Sequence, residues 1–163
     1  MNEGIPNYSR RAVIRILGAT AVGANFAGCL GSPSENSDAT RRPDETYVED
    51  PPNYDGWFDG VNNYSGTVDR RGKNEVIVRV GAGSRGKAFD PPAVMISPGT
   101  TIVWEWTGDG GTHNVSAENG DFESEYSDSS GHTYDYTFED TRVFKYVCEP
   151  HRSAGMKGAI VVE

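Results

Sequence analysis

Near its C-terminus the chain reads Tyr146-Val147-Cys148-Glu149-Pro150-His151-Arg152-Ser153-Ala154-Gly155-Met156, a thiol, an imidazole and a thioether in the spacing Cys-x2-His-x4-Met. A tight loop between two strands can fold three side chains so spaced toward one point. A type 1 copper ion wants two His and one Cys in a plane with a weak, long axial Met. The missing equatorial donor has to be a histidine far upstream. His113, in Gly110-Gly111-Thr112-His113-Asn114-Val115, is the natural candidate.

Taken singly, these residues have plainer readings: a Met in a loop packs, a free Cys fills a core, a His is a structural residue. Their combination points to copper. Zinc is the competing metal, but its structural sites close a tetrahedron of Cys and His, and a thioether serves it poorly. The third histidine, His132 in Gly131-His132-Thr133-Tyr134, reads as a solvated strand residue, and Glu149 as a solvated neighbour of Cys148.

The elements that must carry these residues are strands. Val76, Val78 and Val80 alternate with Ile77 and Arg79; Ile102, Trp104 and Trp106 with Val103 and Glu105; Tyr134, Tyr136 and Phe138 with Asp135 and Thr137. Period-2 alternation means strands with one buried face. Ser97-Pro98-Gly99-Thr100, Gly108-Asp109-Gly110-Gly111 and Glu118-Asn119-Gly120-Asp121 supply turns between them. Short strands so spaced predict an all-β sandwich or barrel. No helical stripe is visible after residue 30.

At 163 residues the chain has room for one ordinary domain and a tail. Its net charge of −9, with 24 acidic against 15 basic residues, excludes a nucleic-acid partner and suits a cationic partner or a salty medium. The N-terminus reads as an address. Arg10-Arg11 precede a small, apolar stretch that ends Phe26-Ala27-Gly28-Cys29, similar to a twin-arginine export signal joined to a lipoprotein cleavage box. A transmembrane span would need about 20 predominantly apolar residues, and this stretch is shorter. Cleavage before Cys29 frees its thiol for lipid attachment, which argues against a Cys29–Cys148 disulfide. Residues 30–53 are polar with few large apolar side chains, so a disordered linker is expected over 29–53, with order beginning near Tyr54.

With His-Asn-Val upstream of Cys-x2-His-x4-Met, the chain resembles the plastocyanin-like blue copper proteins of the cupredoxin family. The runs Trp57-Phe58-Asp59-Gly60-Val61, Phe89-Asp90-Pro91-Pro92, Val103-Trp104-Glu105-Trp106-Thr107-Gly108 and Gly155-Met156-Lys157-Gly158 are similar to its halocyanin branch. The resemblance covers about residues 54–163. It implies a Greek-key β-sandwich of about eight strands holding one type 1 copper ion. Its ligand roles fall on His113, Cys148, His151 and Met156, and the Asn114 amide braces the ligand loops. It further implies a monomeric, non-enzymatic electron carrier. Such a carrier would serve redox proteins of a membrane electron-transport chain, exported and held at the outer face of the membrane by a lipid on Cys29. Electrons would leave through an apolar patch around His151, with acidic flanks steering the partner. A copper carrier or delivery protein without redox work is the alternative.

Overall fold

The computed structural model of the protein describes residues 41–163, which form nine strands in two sheets and one short 3-10 helix. The strands are β1 (Val68–Asp69), β2 (Glu75–Ala82), β3 (Ala88–Asp90), β4 (Ala93–Ile96), β5 (Thr100–Trp106), β6 (Ser116–Ala117), β7 (Thr133–Phe138), β8 (Val143–Val147) and β9 (Lys157–Val162). One sheet has the order β1-β4-β9-β8-β6 and the other β3-β2-β5-β7. This is the expected sandwich. No helix among the described residues is long and apolar enough to cross a membrane.

The alternating runs do what their period dictates. β2 and β5 pair in parallel with Val76 beside Ile102, Val78 beside Trp104 and Val80 beside Trp106. All six point inward and are buried, while Ile77 on the opposite face is 50% exposed. Trp104 lies at the centre of the inner layer, with Phe122, Tyr134, Phe138 and Tyr146 around it at ring-centroid distances of 5.3–6.3 Å. Gly158 on β9 faces the Tyr146 ring so closely that a Cβ there would overlap it.

Strands β4 and β9 do not alternate. β4 is buried throughout and β9 nearly so, because both faces of their sheet are covered. The outer cover is the segment before β1: Val48, Tyr54, Phe58 and Val61 pack on Ala93, Met95, Ala159 and Val161. Phe58 stacks on Tyr64 at 3.9 Å, and the ammonium groups of Lys145 and Lys157 lie 5.6 and 5.3 Å from the centre of the Trp57 ring.

Order therefore begins before Tyr54. Tyr47 bridges Val68, the Val48 amide donates to the Thr67 carbonyl at 2.8 Å, and the Asp69 amide to that of Thr46 at 2.8 Å. Arg42 pairs with Asp90 at 3.1 Å and Glu45 with Arg70. A polar stretch that cannot form a core of its own is held here by backbone bonds to an existing strand, by ion pairs, and by its two apolar residues, Tyr47 and Val48. The expected linker thus overreaches at its C-terminal end. Arg10, Arg11, Cys29 and the signal-like segment lie outside the described residues.

Candidate metal centre

Cys148 follows β8 directly, and a 3-10 helix over Glu149–Ala154 turns the chain back toward β9. Pro150 sits in its first turn, where a missing N–H costs nothing, and Gly155 ends it at φ 83°, in the left-handed region. The turn ties itself shut. The His151 amide donates to the Cys148 carbonyl at 3.1 Å, the Met156 amide to that of His151 at 3.2 Å, and the Cys148 amide to that of Met156 at 3.0 Å. His113 arrives from the segment between β5 and β6, where it exchanges two backbone hydrogen bonds of 2.9 Å with Ser127.

These two segments bring three donor atoms together. Cys148 Sγ lies 3.5 Å from His113 Nδ1 and 3.5 Å from His151 Nδ1, and the two Nδ1 atoms are 3.1 Å apart. A point equidistant from the corners of that triangle is about 2 Å from each, close to the bond length that imidazole and thiolate donors make to a first-row metal. His113 Nε2 lies 2.8 Å from the Asp109 carbonyl oxygen, which can only accept. The proton therefore sits on Nε2, and the Nδ1 lone pair faces Cys148 and His151. Three donor atoms at this spacing can hold a single metal ion between them. His113, Cys148 and His151 also form the one group of metal-ligating His, Cys or carboxylate side chains found among the described residues.

Burial is graded across the site. Cys148 and Met156 are 0% exposed and His113 is 1% exposed, whereas His151 is partly open to solvent. Burial pushes the Cys148 thiol up, against the backbone N–H groups of Asn114 and His151 that favour its thiolate. Burial, the neighbouring His113 and the charge of Lys87 hold His151 below the usual imidazole value. Met156 follows the turn and packs in the inner core with Cys148.

Asn114 is buried and bonds both ways to the ligand loop: its Oδ1 accepts from the Glu149 amide at 2.9 Å, and its Nδ2 donates to Glu149 Oε2 at 2.8 Å. Glu149 is therefore not simply solvated, since the Tyr126 hydroxyl donates to the same oxygen. His132 stands apart from the donors, edge-on to Trp106 at 4.8 Å. Behind His113 the backbone is pressed close. A Cβ on Gly81 would lie 2.6 Å from the Asp109 carbonyl and 3.3 Å from His113 Nε2, and one on Gly110 would overlap Gly86. Gly155 likewise meets the Gly60 carbonyl of the outer cover. These contacts have no local sequence signal beyond a Gly, two of them (Gly110 and Gly155) in loops and one (Gly81) at a register shift within β2. The surroundings of His151 are mixed rather than apolar: Pro150 and Ala154 are exposed, but so are Arg152, paired with Glu118 at 2.7 Å, and Lys87.

Comparison with known proteins bears on the same residues. Residues 76–163 match the family described as copper binding proteins, plastocyanin/azurin family. The chain is 42% identical to halocyanin from Natronomonas pharaonis over 161 residues, covering 96% of this chain and 99% of that one. It is 32% identical to plastocyanin from Scenedesmus fuscus over 99 residues, covering 55% of this chain and all of that protein. Among solved structures, pseudoazurin from Methylobacterium extorquens AM1 matches 54% of this chain and 74% of its own at 31% identity, with a TM-score of 0.42.

Proposed function

The chain belongs to the plastocyanin/azurin family of copper-binding proteins, and from that premise we propose that it is a small blue copper electron carrier whose single type 1 ion is held by His113, Cys148, His151 and Met156. The carrying observation is the convergence of two imidazole nitrogens and one thiol sulfur at 3.1–3.5 Å, with the Met156 thioether supplied by the same loop. Copper bound there supplies a one-electron couple between its cupric and cuprous states.

What the chain contributes is constraint. Cys148 gives up its proton on metal binding, and the N–H groups of Asn114 and His151 then face a thiolate. His113 keeps its Nε2 proton on Asp109, so its ring cannot turn when the charge at the site changes. Asn114 ties the His113 segment to the Cys148 loop, which holds the donors in one arrangement through gain and loss of an electron. Small rearrangement means fast transfer. His151 alone among the four is open to solvent and is the exit for the electron.

A delivery protein would have to pass copper to an acceptor, yet three of the four donors are sealed from solvent. That burial favours a resident ion over one in transit. Residues 1–28 act as the export signal, with Arg10 and Arg11 as its twin arginines. Cys29 carries the lipid, leaving a short spacer before the packed domain at the outer face of the membrane. The partners are redox proteins of that membrane. The absorption spectrum of the folded protein with copper added, before and after ascorbate, tests the central claim: an intense blue band that bleaches on reduction is expected, and a colourless copper complex would overturn it. Membrane fractionation of Cys29→Ser tests the anchor. Release is expected, and unchanged association would assign anchoring to the apolar segment itself.

A further inference from the structure

Beside the metal centre lies a polar cavity of about 530 Å³ whose walls include Asn62 from the outer cover, Ser84, Arg85 and Lys87 from the β2–β3 loop, and Ala154 and Gly155 from the ligand loop. A volume of that size is typical of small-molecule sites. Among the described residues no carboxylate lines it. Among the described residues Arg42, Arg70, Arg71, Arg142 and Arg152 stand in ion pairs, whereas Arg85 and Lys87 stand in none, as is also true of Arg41, Arg79, Lys73, Lys145 and Lys157 elsewhere on the domain; what sets Arg85 and Lys87 apart is that both line one cavity. Two unpaired cations in a concave, carboxylate-free wall make a local positive field on an acidic protein. The Asn62 amide and the Ser84 hydroxyl add neutral hydrogen-bond donors to the same wall. Ala154 and Gly155, which line the cavity, lie between His151 and Met156 in the ligand loop, so an anion there sits against the backbone that holds both.

We propose that this cavity binds a small oxyanion, of the carboxylate or phosphate class, and that its occupancy lowers the reduction potential of the copper site. The inference rests on copper being held at His151. The oxidised centre carries one more positive charge than the reduced one, so an anion that neutralises Arg85 and Lys87 stabilises the oxidised state. By linkage, the oxidised protein binds the anion more tightly by the same factor that the anion shifts the couple. A concave pocket and a net charge of −9 favour a small anion over an acidic macromolecule.

The test titrates inorganic phosphate into the copper-loaded protein at constant ionic strength, balanced with chloride, by calorimetry in both oxidation states and by redox potentiometry. Saturable binding, severalfold tighter in the oxidised protein, and a midpoint that falls to a plateau are expected. Both effects should vanish in the double variant Arg85→Gln, Lys87→Gln, whose blue band should persist because both side chains are exposed. Absent or unsaturable binding, equal affinity in the two states, or an equal shift in the double variant would each overturn the proposal. So would slower electron transfer from an acidic protein donor in the variant without any phosphate binding, which would make the cavity a docking site. If copper gives no blue band, the copper reading fails by itself, and calorimetry on the metal-free protein still decides whether the cavity takes the anion.

Discussion

Two hydrophobic clusters pack on opposite faces of the β1-β4-β9-β8-β6 sheet, and they differ in what they carry. The inner cluster, between the sheets, runs from Val78 and Trp104 through Tyr146 and includes Cys148 and Met156 themselves. The outer cluster, built from Val48, Tyr54, Phe58 and Val61 on the back of β4 and β9, contains no metal donor. A ligand that is also a core residue is positioned by the packing density of the whole sandwich. The outer layer meets the neighbourhood of the site at a few contacts: Gly60 against Gly155, the Trp57 indole N–H on the Gly158 carbonyl at 3.0 Å, and the Lys157 ammonium on the Trp57 carbonyl at 3.2 Å. The inner layer should therefore govern both stability and the copper site, the outer layer stability alone.

The largest expected effect is at the seam between core and site. Cys148→Ser should abolish the blue band entirely while circular dichroism still reports the sandwich, at a cost of about 1–3 kcal/mol for a buried hydroxyl without a good partner. A Ser variant that stayed blue would remove Cys148 from the site.

Next come truncations in the two layers. Trp104→Ala, in the inner layer, should cost about 3–5 kcal/mol and broaden or shift the visible band as the core relaxes toward Cys148. Phe58→Ala should fall at the lower end of the same range, because Phe58 keeps 9% of its surface exposed and its neighbours can settle outward. Its spectrum should match the parent's. Denaturant melts read alongside absorption spectra decide between the layers, and an equal spectral change in both variants would break the distinction drawn between them.

Met156 sharpens the comparison, since it belongs to the core and to the proposed ligand set at once. Met156→Leu should cost less than about 1.5 kcal/mol as a core exchange. It should nevertheless raise the midpoint potential, and Met156→Gln should lower it, because a thioether favours cuprous copper more than an amide oxygen does. Opposite shifts in redox titration support ligation. Two unchanged potentials would leave Met156 as packing only.

Smallest is the outer contact nearest the site. Trp57→Phe removes the hydrogen bond to Gly158 and should cost about 0.5–1.5 kcal/mol with no change in colour or potential. A shifted potential in this variant would show the outer cover to be part of the site's support.

Alternation in β2, β5 and β7 was legible because one face of each is buried and the other wet, and the side chain of every second residue records it. The outer layer was not read, although β4 and β9 carry its signature: Ala-Val-Met-Ile and Gly-Ala-Ile-Val-Val are unbroken apolar runs, as expected of strands covered on both faces. What such a run cannot show is which segment does the covering. Here it is chain that precedes β1, partly from a stretch whose composition reads as linker.

By itself the sequence determined the donor types and their order, since Cys-x2-His-x4-Met lies within one turn and local spacing limits where three side chains can point. It also determined the alternating faces, because strand period is a local property. Only the tertiary structure decided that His113, 35 residues upstream of Cys148, brings its Nδ1 lone pair to within 3.5 Å of the sulfur. It alone placed the Asp109 carbonyl to hold the other ring nitrogen, and Asn114 to bind Glu149 across the two segments. Those contacts join residues far apart in the chain, and their closeness depends on how two sheets twist and pack rather than on any local run of side chains.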